Sequence, residues 1–205
     1  LNIFAADFIN QRSAFLDSSR VINPPKILKT ERLRLRKVKP ADAEAIFREY
    51  AQDPEVTKYV SWRAHRNYEE TRDYVRSCLL AWDTGKAFNW VIEGRDENQL
   101  MGMIVARVNG EKWELGFVLA RRYWGQGLMT QALQAVIDWA LCRGGVFRVW
   151  AVCDVDNVAS ARAMEKVGMC REGILRRWSV HPNISAEPRD SYCYAIVKNS
   201  PAVIL

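Results

Sequence analysis

Between residues 30 and 36 apolar and charged side chains alternate. Leu33 and Leu35 fall on one face, and Arg32, Arg34 and Arg36 on the other. A period of two predicts a half-buried strand. Pro40 then opens a helical pattern over 41–50, with the proline in the first turn. Asp53-Pro54 restarts a short helix to about Val60, and a long helix covers 68–82, ended near Gly85. Three strands are predicted next, at about 87–94, 100–109 and 112–120. The first carries Phe88, Trp90 and Ile92 on one face. Arg95 to Asn98 breaks the first pair, and Asn109-Gly110 marks a hairpin between the second and third. A helix follows over 127–142. Leu128, Ala132, Leu133, Val136, Ile137, Ala140 and Leu141 form its apolar face, and Gly144-Gly145 closes it. A strand at 147–153 and a helix at 157–167, stopped by Gly168, come next. Two last strands, 169–176 and 191–198, flank a loop holding His181-Pro182-Asn183 and Glu187-Pro188-Arg189-Asp190. The order is β-α-α-β-β-β-α-β-α-β-β, an α/β fold with a mixed sheet.

The two ends read differently. Phe4, Phe8, Phe15 and Leu16 suit an amphipathic helix that Asn23-Pro24-Pro25 would end. Residues 1–26 are thus expected to be an N-terminal helical extension, 27–198 the domain, and 199–205 a tail. The first nine residues lack a basic start and a small-residue cleavage site, so a signal peptide is not expected.

Composition narrows the chemistry. At 205 residues the chain fits one domain with an appendage. Such a chain can bury roughly 70% of its unfolded surface, enough for a core without metal or disulfides. The five cysteines, Cys78, Cys142, Cys153, Cys170 and Cys193, form no CxxC, and their number is odd. A reducing, cytoplasmic setting fits them. His65 and His181 are the only histidines, which gives no metal-binding pattern. No apolar run approaches a membrane span. Thirty basic residues against 24 acidic give a net charge of +6. A polyanionic partner follows, and nucleic acid, acidic membrane and a phosphorylated cofactor all satisfy it.

Residues 115–130 sharpen that choice. A strand feeds a turn containing Gly125 and Gly127, and the turn opens a helix. A helix N-terminus carries unpaired N–H groups and partial positive charge, so it attracts phosphate. The segment lacks the third glycine of a dinucleotide fingerprint, and no lysine precedes Thr130 as a P-loop requires. A plain tight turn that binds nothing is the remaining alternative.

Arg122-Tyr-Trp-Gly125-Gln-Gly127 resembles the [QR]xxGx[GA] motif of the GNAT acetyltransferase superfamily. The string through Thr130 is similar to its Rim-type branch, which includes the N-terminal acetyltransferases of ribosomal proteins. Asn157-Val-Ala-Ser160, with Glu165-Lys166-Val167-Gly168, resembles the family's NxxS…EKxGF segment. The likeness covers about residues 27–198. It implies a mixed, mostly antiparallel sheet flanked by helices. It also implies transfer of an acetyl group from acetyl-CoA to an amine by direct attack, with no metal. The implied pyrophosphate site is Arg122 with the turn Trp124, Gly125, Gln126, Gly127 and Leu128. Phe117, Val118 and Leu119 would pair with the pantetheine arm on a strand splayed from its neighbour. A strand N–H, that of Val118, could also meet the oxyanion. Asn157 would touch the pantetheine, Ser160 would lie near the sulfur as an acid, and Arg162 would reach the outer phosphates. Family members often carry a base four positions before the pantetheine-pairing residue, and Glu114 fits that offset. Glu114, Gly116 and Val118 share a face, and Gly116 is expected to leave open space beside the carboxylate. Trp62 falls where the family binds its acceptor.

The acceptor implied by the branch is the α-amine of a protein, met at the ribosome rather than through direct nucleic-acid contact. A polyamine, aminoglycoside or amino sugar is the alternative. A different class remains open too: a non-catalytic CoA sensor, or an RNA-associated protein using arginines 32, 34, 36, 176 and 177. The oligomeric state, monomer or dimer, is left open by the sequence.

Overall fold

A computed structural model describes residues 24–96 and 99–198. The expected N-terminal helix and the tail lie outside the described residues. The order is β1 (Ile27–Lys29), β2 (Leu33–Lys37), α1 (Asp42–Ile46), α2 (Pro54–Thr57), α3 (Tyr68–Asp83), β3 (Ala87–Gly94), β4 (Leu100–Asn109), β5 (Lys112–Leu119), α4 (Leu128–Leu141), β6 (Arg148–Asp154), α5 (Val158–Lys166), β7 (Cys170–Val180) and β8 (Pro188–Val197). One eight-stranded sheet runs β1-β2-β3-β4-β5-β6-β8-β7. Every pairing in it is antiparallel except β5 with β6. The fold is mixed α/β with a mostly antiparallel sheet.

Alternation within the strands sets two apolar layers. Leu33, Leu35, Phe88, Trp90, Ile92 and Ile104 point to the face that α4 covers with Leu128, Leu133, Val136 and Ile137. Trp82, Phe88, Trp90, Trp113 and Trp139 form one aromatic cluster there, with neighbouring ring centroids 5.2 to 6.2 Å apart. Val91, Met103 and Val118 point to the opposite face, beneath α1 and α3 with Ile46, Val75 and Cys78.

Three departures from the sequence pattern have local causes. The first strand is a hairpin. The Thr30 hydroxyl accepts a hydrogen bond from the Leu33 amide at 2.9 Å, which turns the chain and creates β1. The helix expected over 41–50 is α-helical only to Ile46, then widens into a π turn over Phe47–Ala51. The last two strands extend well into the expected loop. Arg177 adopts φ 48°, the register shifts between Leu175 and Ser179, and the Asp190 carboxylate holds the bulge through the Arg177 amide at 2.9 Å. The bulge breaks the alternation on which the sequence reading relied.

Candidate active site

β5 and β6 are paired only over Lys112–Glu114 and Arg148–Trp150. Beyond that the two strands part. Leu115 to Leu119 keep their partners on β4 and have none toward β6. A strand edge therefore opens in the middle of the sheet, with Phe117, Val118 and Leu119 along it. β4 presses against this edge from behind. A Cβ on Gly102 would lie 2.2 Å from the Val118 carbonyl oxygen, so only glycine permits the approach.

The edge leads into the turn. Gly125 and Gly127 have φ 74° and 73°, and the space where a Cβ would stand is empty at both. The glycines thus serve backbone conformation, and they leave the surface above them clear. Gly127 is the N-cap of α4, and Gln131 is the residue whose amide returns to its carbonyl, at 3.2 Å. The amides of Leu128, Met129 and Thr130 precede that first bond and lie at the helix's positive end. Three contacts fix the turn: Trp124 Nε1 donates to the Leu119 carbonyl at 2.7 Å, Gln126 Nε2 to the Arg122 carbonyl at 3.0 Å, and Arg32 to the Gln126 carbonyl at 2.9 Å. Arg122 is half-exposed, lies over the Tyr123 ring and pairs with Glu49, which the π turn buries.

Glu114 sits before the point of parting. Its carboxylate faces Arg107 of β4, 3.4 Å away, in direct register. Arg107 also fills the space beside Gly116, where open room is expected from the sequence. A Cβ there would meet the guanidinium at 2.9 Å. Across the gap, Asn157 caps α5 by accepting from the Ser160 amide at 3.2 Å. Ser160 is partly buried at that helix start, and Arg162 is exposed on the helix.

Trp62 packs on the α3 face beside Tyr74 and His65, with centroids 6.3 and 4.9 Å away. The Tyr74 hydroxyl donates to Met103 Sδ at 3.3 Å. Burial lowers the His65 imidazole pKa, against the pull of Glu70.

The loop between β7 and β8 completes this wall, which the sequence pattern leaves as an ordinary loop. Asn183 Nδ2 donates to the carbonyls of Thr57 at 2.7 Å and Trp62 at 2.8 Å, and its Oδ1 accepts from the Ala64 amide at 3.1 Å. His181 is buried, with Nδ1 3.3 Å from the Val60 carbonyl and Nε2 3.6 Å from Asp154 Oδ2. Asp154 is fully buried at the end of β6. Arg189 grips it at 2.6 and 3.1 Å and reaches Asp156 at 2.6 Å. Burial alone raises a carboxyl pKa. The Arg189 hydrogen bonds and the Asp156 amide outweigh that and hold Asp154 below the usual range. The signal available in sequence is the string His181-Pro182-Asn183, whose proline stiffens a loop of two polar anchors.

The five arginines that suggest a polyanion-binding face are engaged within the protein. Arg34 and Arg36 share Glu93, and Arg36 also holds Asp42. Arg32 binds the turn, while Arg176 and Arg177 hold Asp190 and Glu187. Among the described residues no group of three His, Cys, Asp or Glu could hold a metal ion, and no helix is long and apolar enough to cross a membrane.

A model of the GNAT acetyltransferase domain matches residues 32–170. The N-acetyltransferase YoaA of Bacillus subtilis is 31% identical over 175 residues, spanning 84% of this chain and 97% of that protein. An acetyltransferase of the GNAT family from Bacillus anthracis superposes with a TM-score of 0.74 at 33% identity, covering 85% of this chain and 99% of that one. RimL, a ribosomal L7/L12 alpha-N-protein acetyltransferase solved with coenzyme A, has the same fold, with a TM-score of 0.75 at 23% identity over 83% of this chain and 97% of that one.

Proposed function

This chain belongs to the GNAT acetyltransferase family, and we propose that it acetylates the N-terminal α-amine of a protein, using acetyl-CoA. The observation that carries the reading is the parting of β5 from β6 beside an uncovered, amide-lined turn. An extended arm ending in a pyrophosphate matches that shape: a strand edge for the arm, then a helix N-terminus for the anion. Acetyl-CoA supplies a reactive acyl thioester when bound. Phe117, Val118 and Leu119 offer the edge, and the amides of Trp124 to Leu128 receive the phosphates, with Trp124, Gly125, Gln126 and Gly127 shaping the turn. Arg122 adds charge once it turns from Glu49. Asn157, Ser160 and Arg162 hold the far side of the arm, and Ser160 is the proposed acid at the sulfur. The Val118 N–H is the proposed donor to developing negative charge.

The acceptor reading rests on how much neutral amine each candidate offers. Glu114, on the strand beside Arg107, is the proposed base. An α-amine, with pKa about 8, is about one-tenth neutral at pH 7, whereas a lysine amine near 10.4 is neutral less than about one time in a thousand. RimL, which shares the fold, acts on a ribosomal protein's α-amine, so a ribosomal protein is the proposed partner. The five free cysteines suit the reducing cytoplasm as the place of action. Calorimetry with acetyl-CoA tests the donor half. Binding tighter than about 1 mM supports it, and no heat at about 1 mM defeats it. A screen of ribosomal N-terminal peptides against polyamines and aminoglycosides tests the acceptor half, and activity on the small amines alone defeats that part.

A further inference from the structure

Several arginines of this protein grip carboxylates through two or more bonds, Arg36 and Arg189 among them. Arg107 of β4 is different. Among the described residues its side chain makes one bond, to Glu114 at 3.4 Å, longer than the about 2.7–3.2 Å of an ordinary N–H···O contact. The side chain is 49% exposed, and most of the guanidinium's N–H groups have no protein partner among the described residues. A glycine sets its place. Glu114, Gly116 and Val118 share one face of β5 and stand in register with Arg107, Val105 and Met103 of β4. Gly116 has no side chain, so the head of Arg107 lies on it. A Cβ there would stand 2.9 Å from one terminal nitrogen and 3.4 Å from the other. The guanidinium therefore lies between Glu114 and Val118. Its charge also reaches the Tyr74 hydroxyl and the Cys78 thiol of α3, where it lowers pKa values that burial raises. Tyr74 in turn stacks on Trp62. One exposed cation thus joins the proposed base, the proposed oxyanion donor and the acceptor wall, and the reading above gives it no task.

We propose that Arg107 recognises the α-amine acceptor by binding the carbonyl oxygen of its first peptide bond. The inference rests on the acetyltransferase reading and deepens its acceptor half. An amine attacking beside Val118 has the guanidinium one strand period away, about 7 Å. In a peptide the first carbonyl oxygen stands about 3 Å from the α-nitrogen, and a hydrogen bond of about 2.9 Å covers the rest. A lysine ε-amine or a polyamine has methylenes at that position. The guanidinium then loses hydration and gains no acceptor in return. A polyamine also brings a second positive charge, which the guanidinium repels. Arg107 therefore separates an α-amine from the other amines by contact, where neutral fraction separates them by titration.

The test is a double-mutant cycle between enzyme and acceptor. Wild type, Arg107→Met and Arg107→Lys are each assayed on an N-terminal peptide and on the same peptide with sulfur replacing its first carbonyl oxygen, a poor hydrogen-bond acceptor. Spermidine is a third acceptor. Acetyl-CoA binding to each protein is measured by calorimetry, and retained donor binding shows that a variant is folded. Wild type should lose about tenfold or more in kcat/KM on the sulfur peptide. Arg107→Met should fall about 10- to 100-fold on the oxygen peptide, treat the two peptides alike within about twofold, and discriminate less against spermidine. Lysine keeps the charge and loses the fork, so Arg107→Lys should regain part of the peptide rate and still disfavour spermidine. Arg107→Met that separates the two peptides as wild type does overturns the proposal. So does an unchanged rate on the oxygen peptide. A fall equal on both peptides, with the acidic limb of the pH–rate profile displaced, also overturns it, because Arg107 then acts through Glu114 alone. A wild type that acetylates spermidine and not the peptide defeats the α-amine reading instead, and one that acetylates neither defeats the acetyltransferase reading.

Discussion

The proposed donor and acceptor sides of the site are built in opposite ways. The donor side is one stretch of chain, β5, the turn and the start of α4, and its shape comes from backbone. The acceptor side is assembled from Thr57 to His65, Asp154 to Asp156 and His181 to Arg189, and side chains hold it together. Asn183 alone bridges residues 119 to 126 positions away. A backbone device tolerates changes of side chain and fails when a glycine is lost. A side-chain device fails when one anchor is removed, and it can change its substrate by changing those anchors.

That contrast predicts a graded set of failures. The largest is Asp154→Ala. It deletes a fully buried carboxylate and leaves the partly exposed Arg189 with Asp156 alone, and loss of such charge-assisted hydrogen bonds costs about 1.5–3 kcal/mol. Chemical denaturation should show the loss. The ionised Asp154 favours the folded state because its pKa is lowered there. Its contribution is complete above the unfolded value of about 3.9 and disappears as pH falls through the lower folded value. The variant's acid unfolding should therefore be less steep than that of wild type.

Gly127→Val comes next and probes the donor side. A β-branched residue at φ 73° is strained by about 1–2 kcal/mol, and its side chain would stand over the amides. Calorimetry should find acetyl-CoA bound at least about tenfold more weakly. The acceptor wall, read by the peptide KM, should respond as in wild type.

Asn183→Ala is the matching change on the acceptor side. It removes three hydrogen bonds, each worth about 0.5–1.5 kcal/mol net. The peptide KM should rise about five- to thirtyfold with the donor KM unmoved. A change in the donor KM of the same size would show that the two sides are not separable.

The smallest effect is expected at Arg122. Its guanidinium is half-exposed and shared with Glu49, so Arg122→Ala should weaken donor binding only by about 1 kcal/mol. Glu49→Gln should do the reverse, freeing Arg122 and lowering the donor KM. Equal donor KM values in the two variants would mean that Arg122 plays no part in anion binding.

The same contrast explains what could be read from the sequence. Gly125 and Gly127 sit between a strand and a helix within sixteen residues, so spacing marks a turn at a helix start, and the family resemblance points that turn to the donor. The strands at 87–94, 100–109 and 112–120 emerged from alternation and the Asn109-Gly110 turn, close to where they stand. The hairpin at Thr30 was hidden, because the strand pattern runs through a residue whose hydroxyl makes the turn. Arg107 beside Gly116 was hidden as well, since register across a sheet cannot be counted along one strand. The acceptor wall was the least legible part. Its anchors are single polar residues in loops, and only folding brings His181 to Asp154 and Asn183 to Trp62.

The central claim is that this protein acetylates an α-amine. The direct measurement is mass spectrometric localisation of the product on a peptide that offers both a free N-terminal α-amine and a lysine. The account predicts one acetyl group, placed on the α-amine, with the lysine untouched across the neutral pH range. Acetylation at the lysine, or none on any peptide while a small amine is acetylated, would contradict it.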